Sequence, residues 1–348
     1  MADVNIRIEG RAGRITLARP KALNALSYEM CLAIDAALID WAQDDRVVLV
    51  LIDAEGEKAF CAGGDIAEIY ATGTRGDYTL ARNFWRDEYR MNARIAEYPK
   101  PVVSFMQGFV MGGGVGLGCH ASHRIVGATC QIAMPECGIG LVPDVGGTYL
   151  LARAPGQLGA YLGLTGARMG PGDALHAGFA DIFVPESDWE DTKAALVASG
   201  DVAVLTGLPA PEPQLAAMAP LIDAAFGQDS VAAIAAQLGT EDSPFAQKTL
   251  AALHRNSPLA MACTLAMLRR LGQGSTIRQA LKQEFRGTWR SLEQGDFLEG
   301  IRAAIIEKDK SPRWRHDGPD AVTQAEVDTI LAPLGADELT FEGLEERT

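Results

Sequence analysis

The sequence predicts an α/β fold in which strands and helices alternate, followed by a C-terminal α-helical region. Three observations carry that prediction. Residues 47–52 and 102–106 are continuously apolar or nearly so and rich in β-branched residues, as expected of strands buried on both faces. Each run leads through a small-residue, glycine-bearing segment into a helix-period pattern. Beyond residue 213 the chain is Ala- and Leu-rich with helical spacing, and it offers no strand candidate as far as residue 310.

Taken in order, residues 4–19 alternate apolar and polar, with Ile6 and Ile8 before Gly13 and Ile15 and Leu17 after it. That pattern predicts a hairpin-like pair of strands, stopped by Pro20. Ser27 offers an N-cap, and Met30, Ile34, Leu38 and Trp41 recur at three to four residues, which predicts an amphipathic helix over 28–43. The strand at 47–52 then completes the start of a right-handed βα repeat. Residues 60–65 (FCAGGD) form a turn into another helical pattern, 71–78 read as a mobile loop, and 79–97 form a helix ending before Pro99 and Pro101. The strand at 102–106 feeds a glycine-rich stretch, with a helix over 112–121 and strands near 124–126 and 131–134. From about Val145 the pattern is helical, broken at Gly166, Gly170 and Gly172, with a late strand over 179–184. A proline-rich segment at 206–213 (TGLPAPEP) divides a core over 1–205 from a helical region over 206–348. The end of the chain is acidic and broken by Gly and Pro, as in a surface tail or a short terminal helix.

The chain has 348 residues and 48% hydrophobic content, enough for a substantial core. Its net charge of −14 argues against a nucleic-acid partner, which needs a basic face to displace counterions. Cys31, Cys61, Cys119, Cys130, Cys137 and Cys263 form no CxxC pair and sit mostly in apolar contexts, so reduced core thiols and a cytoplasmic location are expected. No run of about eighteen apolar residues is present, so no membrane partner is expected, and the N-terminus lacks a long apolar leader.

Chemistry concentrates between Gly108 and Asp144. Gly108, Gly112, Gly113, Gly114, Gly116 and Gly118 follow a buried strand, and glycine that dense lets backbone N–H groups approach a ligand. Close helix packing is the other explanation for such a cluster. The sequence contains no GxGxxG and no GK[ST], so neither nucleotide fingerprint is met, and no GxSxG elbow for a serine esterase. A similar turn, Ala62-Gly63-Gly64-Asp65, follows the earlier buried strand, so two turns together can offer N–H groups to one oxyanion. Glu136 and Asp144 lie in apolar, glycine-rich surroundings where solvated acids are not expected, and two nearby carboxylates raise one pKa toward neutrality. His120 and His123 form HxxH beside Cys119, compatible with a metal or, more simply, with packing and a supporting hydrogen bond. Asp65 reads as a cap for the following helix.

The segments RPKALNALS (19–27), AFCAGGDI (59–66), PKPVVSFMQGFVMGGGVGL (99–117) and AMPECGIGLVPDVGGTYLLAR (133–153) together resemble the crotonase, or enoyl-CoA hydratase/isomerase, superfamily. LTGxR (164–168), QEFR and DFLEGIRAAIIEKDKSPRW (296–314) extend the similarity to about residue 315, toward the 3-hydroxyisobutyryl-CoA hydrolase branch. The resemblance implies a ClpP-like spiral of ββα repeats with helices at the C-terminal end. It implies an oxyanion hole from the N–H groups of Gly64 and Gly113, and an acyl-CoA site that includes Lys21, Ala22, Leu23, Ala62, Asp65, Gly112 and Gly116. For Lys21 a solvated surface charge is an equal alternative. In hydratases of the superfamily one catalytic glutamate follows the glycine run, and here that position is Gly116, while the second is kept as Glu136. The expectation is therefore thioester hydrolysis, of 3-hydroxyisobutyryl-CoA in valine breakdown, with Glu136 as base or nucleophile and Asp144 as its partner. No metal or separate cofactor is expected, since coenzyme A is part of the substrate. A homo-oligomer, trimer or hexamer, is implied. The alternatives are an enoyl-CoA hydratase or isomerase and a CoA-binding homologue without catalysis.

Overall fold

A computed structural model describes residues 3–272 and 274–344. The chain opens with β1 (Val4–Glu9) and β2 (Ala12–Leu17), an antiparallel hairpin that turns at Gly10, whose φ is +56°. Gly13, expected between the strands, lies inside β2 instead, where a side chain would strike the Trp41 ring. Helix α1 (Tyr28–Ala42) begins where Ser27 accepts a hydrogen bond from the Met30 N–H, and it buries Met30, Ile34, Leu38 and Trp41 on one face. Burial of each such large apolar side chain is worth about 1.5–3 kcal/mol.

From here the chain repeats one move. It lays down β3 (Leu49–Ala54), then β4 (Ala59–Cys61), then helices α2 (Ala67–Gly73) and α3 (Thr79–Ala96). It continues through β5 (Val102–Met106), β6 (Phe109–Met111) and α4 (Gly113–Gly118), then β7 (His123–Val126) and β8 (Gln131–Ala133). After α5 (Gly147–Leu151), α6 (Leu158–Thr165) and α7 (Pro171–His176), β9 (Ile182–Phe183) closes the series. The larger sheet orders its strands β1-β2-β3-β5-β7-β9 and the smaller one β4-β6-β8, parallel throughout except for β1 against β2. Each repeat thus leaves one strand in each sheet, which is the ββα spiral.

β6 was not anticipated from sequence, because three residues flanked by Gly108 and Gly112 are too few for a periodic signal. The helix expected over 112–121 is confined to α4, and 71–73 of the expected loop close α2. β9 occupies only two residues of the expected 179–184.

α8 (Trp189–Ser199) precedes the proline-rich segment, and beyond it come α9 (Ala219–Phe226), α10 (Val231–Leu238), α11 (Pro244–Arg255), α12 (Pro258–Arg270), α13 (Ile277–Gln294), α14 (Phe297–Ile301) and α15 (Gln324–Ile330). A π-helical turn, Arg302–Ile306, extends α14. α13 packs on α3 and α5, and α12 on α6, so the helical region closes over the spiral. One buried apolar cluster runs from Ile15 to Phe341. The chain end is not a free surface tail over its described part: Leu339 and Phe341 are buried. Residues 345–348 of that expectation lie outside the described residues. All six cysteines are free and buried, and no helix among the described residues is long and apolar enough to cross a membrane.

Candidate active site

The smaller sheet positions the site. β4, β6 and β8 are parallel, so the turns that leave them emerge at the same end: Ala62–Gly64 after β4, Gly112–Gly113 after β6, and Pro135–Glu136 after β8. Crevices at the carboxyl ends of parallel strands are where α/β folds bind ligands.

Gly63 and Gly112 have φ of +116° and +49°, conformations that side chains disfavour. The two turns touch: a Cβ on Gly112 would lie 3.4 Å from Gly63 Cα, and one on Gly113 would lie 3.6 Å from the Gly63 carbonyl carbon. Among the described residues, neither the Gly64 N–H nor the Gly113 N–H meets an acceptor. The remaining glycines of α4 serve packing, as the competing explanation held. A Cβ on Gly114 would sit 2.2 Å from Cys61 O, and one on Gly118 2.5 Å from Met106 Sδ. The glycine run therefore does both jobs, Gly112 and Gly113 facing the cavity and Gly114 and Gly118 seating α4 against β4 and β5.

Acids converge on these turns. Glu136 begins a 3₁₀ turn, Glu136–Ile139, ended by Gly140 in the left-handed region. Its Oε1 lies 3.1 Å from a Cβ built on Gly112, and its buried Oε2 has no partner among the described residues. Burial first, then the charge of Asp144, pushes its pKa well above the usual carboxylate range. The Asp144 carboxylate accepts a hydrogen bond from the Tyr89 hydroxyl at 2.7 Å, and burial pushes its pKa up to about 6. A third acid, Glu88 on α3, was missed from sequence. Its Oε1, buried and unpartnered, lies 2.9 Å from a Cβ built on Gly113, and burial followed by Asp144 raises its pKa strongly. The available signal was spacing: Ala81, Phe84, Trp85, Glu88, Tyr89 and Asn92 fall on the buried stripe of α3, where an acid is out of place.

The loop that carries Asp144 is held from behind. Val145 has φ +53°, a strained state for a β-branched residue. His120 Nε2 lies 2.8 Å from Val145 O and, with burial pushing its pKa down to about 4, the neutral ring donates that bond. Glu284 of α13 accepts from Gly146 N at 2.7 Å, from Thr148 N at 2.9 Å and from the Thr148 hydroxyl. Glu284 is the acid of the QEFR motif, whose role was not foreseen; burial lifts its pKa to about 8. Of the HxxH pair, His120 braces this loop while His123 bonds the Ser122 hydroxyl at 3.0 Å.

The turns and acids enclose a cavity of about 190 Å³. Ala62, Gly64, Gly112, Gly113, Glu136 and Asp144 line it, together with Glu88. Lys21, Ala22, Leu23, Asp65 and Gly116 do not. Lys21 and Ala22 are exposed on a single turn, Pro20–Ala22, and Leu23 O accepts from Ala62 N at 3.0 Å, so this segment props the first glycine turn. Asp65 does not cap α2; it pairs with Arg19 at 3.0 Å. Gly116 lies behind the wall, where a Cβ would stand 2.6 Å from Asn92 Nδ2 and 2.9 Å from Val145 Cβ. The space a side chain at 116 would need is filled by Asn92.

Backbone donors that meet no acceptor among the described residues line one cavity with acids of raised pKa, an arrangement able to polarise a carbonyl and move protons. Comparison with known proteins agrees with that class. A family model described as enoyl-CoA hydratase/isomerase matches residues 12–331. A chicken 3-hydroxyisobutyryl-CoA hydrolase, mitochondrial, is 38% identical over 97% of this chain and 91% of its own, and the human protein of that name is 35% identical over 97% and 91%. Two solved structures superpose closely. An enoyl-CoA hydratase from Rhodobacter sphaeroides has a TM-score of 0.96 at 62% identity, covering 98% of this chain and all of that one. A carnitinyl-CoA dehydratase from Mycobacterium thermoresistibile has 0.94 at 43%, covering 99% and all of that chain. The chain belongs to the enoyl-CoA hydratase/isomerase family, and it is a crotonase-fold enzyme.

Proposed function

We propose that this enzyme hydrolyses an acyl-CoA thioester, with 3-hydroxyisobutyryl-CoA as substrate. The observation that carries the proposal is the unpartnered carboxylate of Glu136 over the Gly112–Gly113 turn, next to Asp144, with the side-chain space at Gly116 closed by Asn92. The thioester carbonyl oxygen accepts from the Gly64 and Gly113 N–H groups. Paired donors of this kind contribute about 3–4 kcal/mol each to the transition state. Glu136 attacks the carbonyl carbon or draws a proton from the attacking water. The C–S bond then breaks, and the CoA thiolate takes up the proton drawn from water, which Glu136, its pKa pushed well above the usual carboxylate range, holds and which Asp144, titrating at about 6, shares. If Glu136 attacks directly, water hydrolyses the resulting anhydride and returns the carboxylate. Glu88, which lines the cavity with a buried oxygen that has no partner among the described residues, is available as a hydrogen-bond partner for a hydroxyl on the acyl group. Relatives bearing the hydrolase name over nearly the whole chain support this substrate.

A second reading has its own support. Glu88 and Glu136 together provide a pair of acids, and the Rhodobacter sphaeroides relative carries the name enoyl-CoA hydratase. Water addition to a 2-enoyl-CoA is therefore the runner-up. Substitution separates catalysis from mere CoA binding. Glu136→Gln and Asp144→Asn should each lower kcat for thiol release about 10²–10⁴-fold, the range for a lost acid–base group, with KM little changed. Folded variants with wild-type rates would remove both residues from the mechanism.

A further inference from the structure

Among the large apolar side chains that line the active-site cavity, exposure separates a buried group from a rim. Phe297 is fully buried, Ile69 is 2% exposed, and Phe84 and Trp85 are 4% exposed, whereas Ile305 is 42% exposed. The buried apolar group is largely aromatic, and it shares the cavity with Glu88, Glu136 and Asp144, which are equally buried. Trp85 comes from α3 and Phe297 from α14, and their rings stand 5.9 Å apart at 43°. α14 is closely packed on two sides, by its backbone at Gly300 and by the Leu298 side chain over Gly73. A Cβ on Gly300 would lie 2.0 Å from Ile139 O, and one on Gly73 would lie 2.8 Å from Leu298 Cδ2. Phe297 has no room to retreat when a longer chain enters.

The cavity of about 190 Å³ is small. An apolar cavity of about 150 Å³ accommodates one benzene, a molecule of six heavy atoms. A 3-hydroxyisobutyryl group also has six heavy atoms, four carbons and two oxygens. An octanoyl group has nine, in a line.

We propose that the Trp85–Phe297 pair is the length stop of the acyl pocket, restricting this enzyme to acyl groups of about four carbons, with branching tolerated and extension excluded. The proposal rests on the assignment of this cavity to the acyl group of an acyl-CoA, and it is independent of whether the thioester is then cleaved. It gives the C-terminal helical region a part in substrate choice, since Phe297 in the buried group and Ile305 at the rim both belong to it.

Binding of S-isobutyl-CoA and S-octyl-CoA, thioethers that cannot be hydrolysed, tests this by titration calorimetry on the full chain. The wild-type protein should bind the isobutyl compound at least tenfold more tightly, and Phe297→Ala should shift the ratio of the two affinities at least tenfold toward octyl. Should Phe297→Ala fail to fold by circular dichroism, Phe297→Leu and Trp85→Phe should shift the ratio in the same direction by a smaller factor. Equal binding of both compounds by the wild-type protein, or an unchanged ratio in a folded Phe297 or Trp85 variant, overturns the length stop. Thiol release from 3-hydroxyisobutyryl-CoA is measured alongside. Its absence, with the length preference intact, would refute the hydrolase assignment and leave the length stop standing.

Discussion

Glu136 has a buried oxygen with no hydrogen-bond partner among the described residues, a state that costs about 1–3 kcal/mol and persists where function needs it. Its carboxyl is harder to ionise in the folded chain than in the unfolded one. The folded state therefore holds the proton to higher pH, and stability falls as pH rises from the unfolded value near 4 through the raised folded value. Glutamine carries no such proton. Glu136→Gln should melt a few degrees above the wild-type protein at pH 8, with the difference shrinking as pH approaches 4, as followed by calorimetric scans. Asp144 titrates at about 6 by the same cause, so the rate of thiol release should change steeply around pH 6, and Asp144→Asn should flatten that limb of the profile. Glu88 shares this chemistry yet escaped sequence reading. An acid next to Asp87 in an Arg-rich helix looks solvated until its spacing with Phe84 and Trp85 puts it on the buried stripe.

At the scale of elements, the β4-β6-β8 sheet turns three separated sequence segments into one site. Two of those segments were readable, because AGGD and GGGVG need glycine for reasons of φ and close approach that leave a mark in sequence. β6 and the bracing bonds from Glu284 were not readable. The first is too short for periodicity, and the second joins residues 138 and 136 positions apart in the chain. The same holds for the buried Leu339 and Phe341, whose contacts arise only when the C-terminal end folds back. α4 makes the packing argument testable. Gly116→Ala should cost about 1–3 kcal/mol through overpacking against Asn92 and Val145. Gly114→Ala should cost more in denaturant titrations, because its Cβ would meet the Cys61 carbonyl, which is backbone and cannot rotate away. Equal stability of wild type and Gly114→Ala would contradict the contact.

At the scale of the whole molecule, spiral and C-terminal helices share a core, and the cavity draws its glycine turns and Trp85 from one and Phe297 from the other. The chain should therefore unfold in one cooperative transition. Two resolved calorimetric transitions would mean that 1–205 and 206–348 melt as separate units. The chemistry assigned to this shared site separates two outcomes that the fold alone does not distinguish, cleavage of a thioester and addition of water to a double bond. The purified protein, given 3-hydroxyisobutyryl-CoA and crotonyl-CoA in parallel while free thiol and enoyl absorbance are followed, reports both at once. The account predicts rapid thiol release from 3-hydroxyisobutyryl-CoA with the crotonyl absorbance unchanged. Rapid loss of enoyl absorbance without thiol release would contradict it.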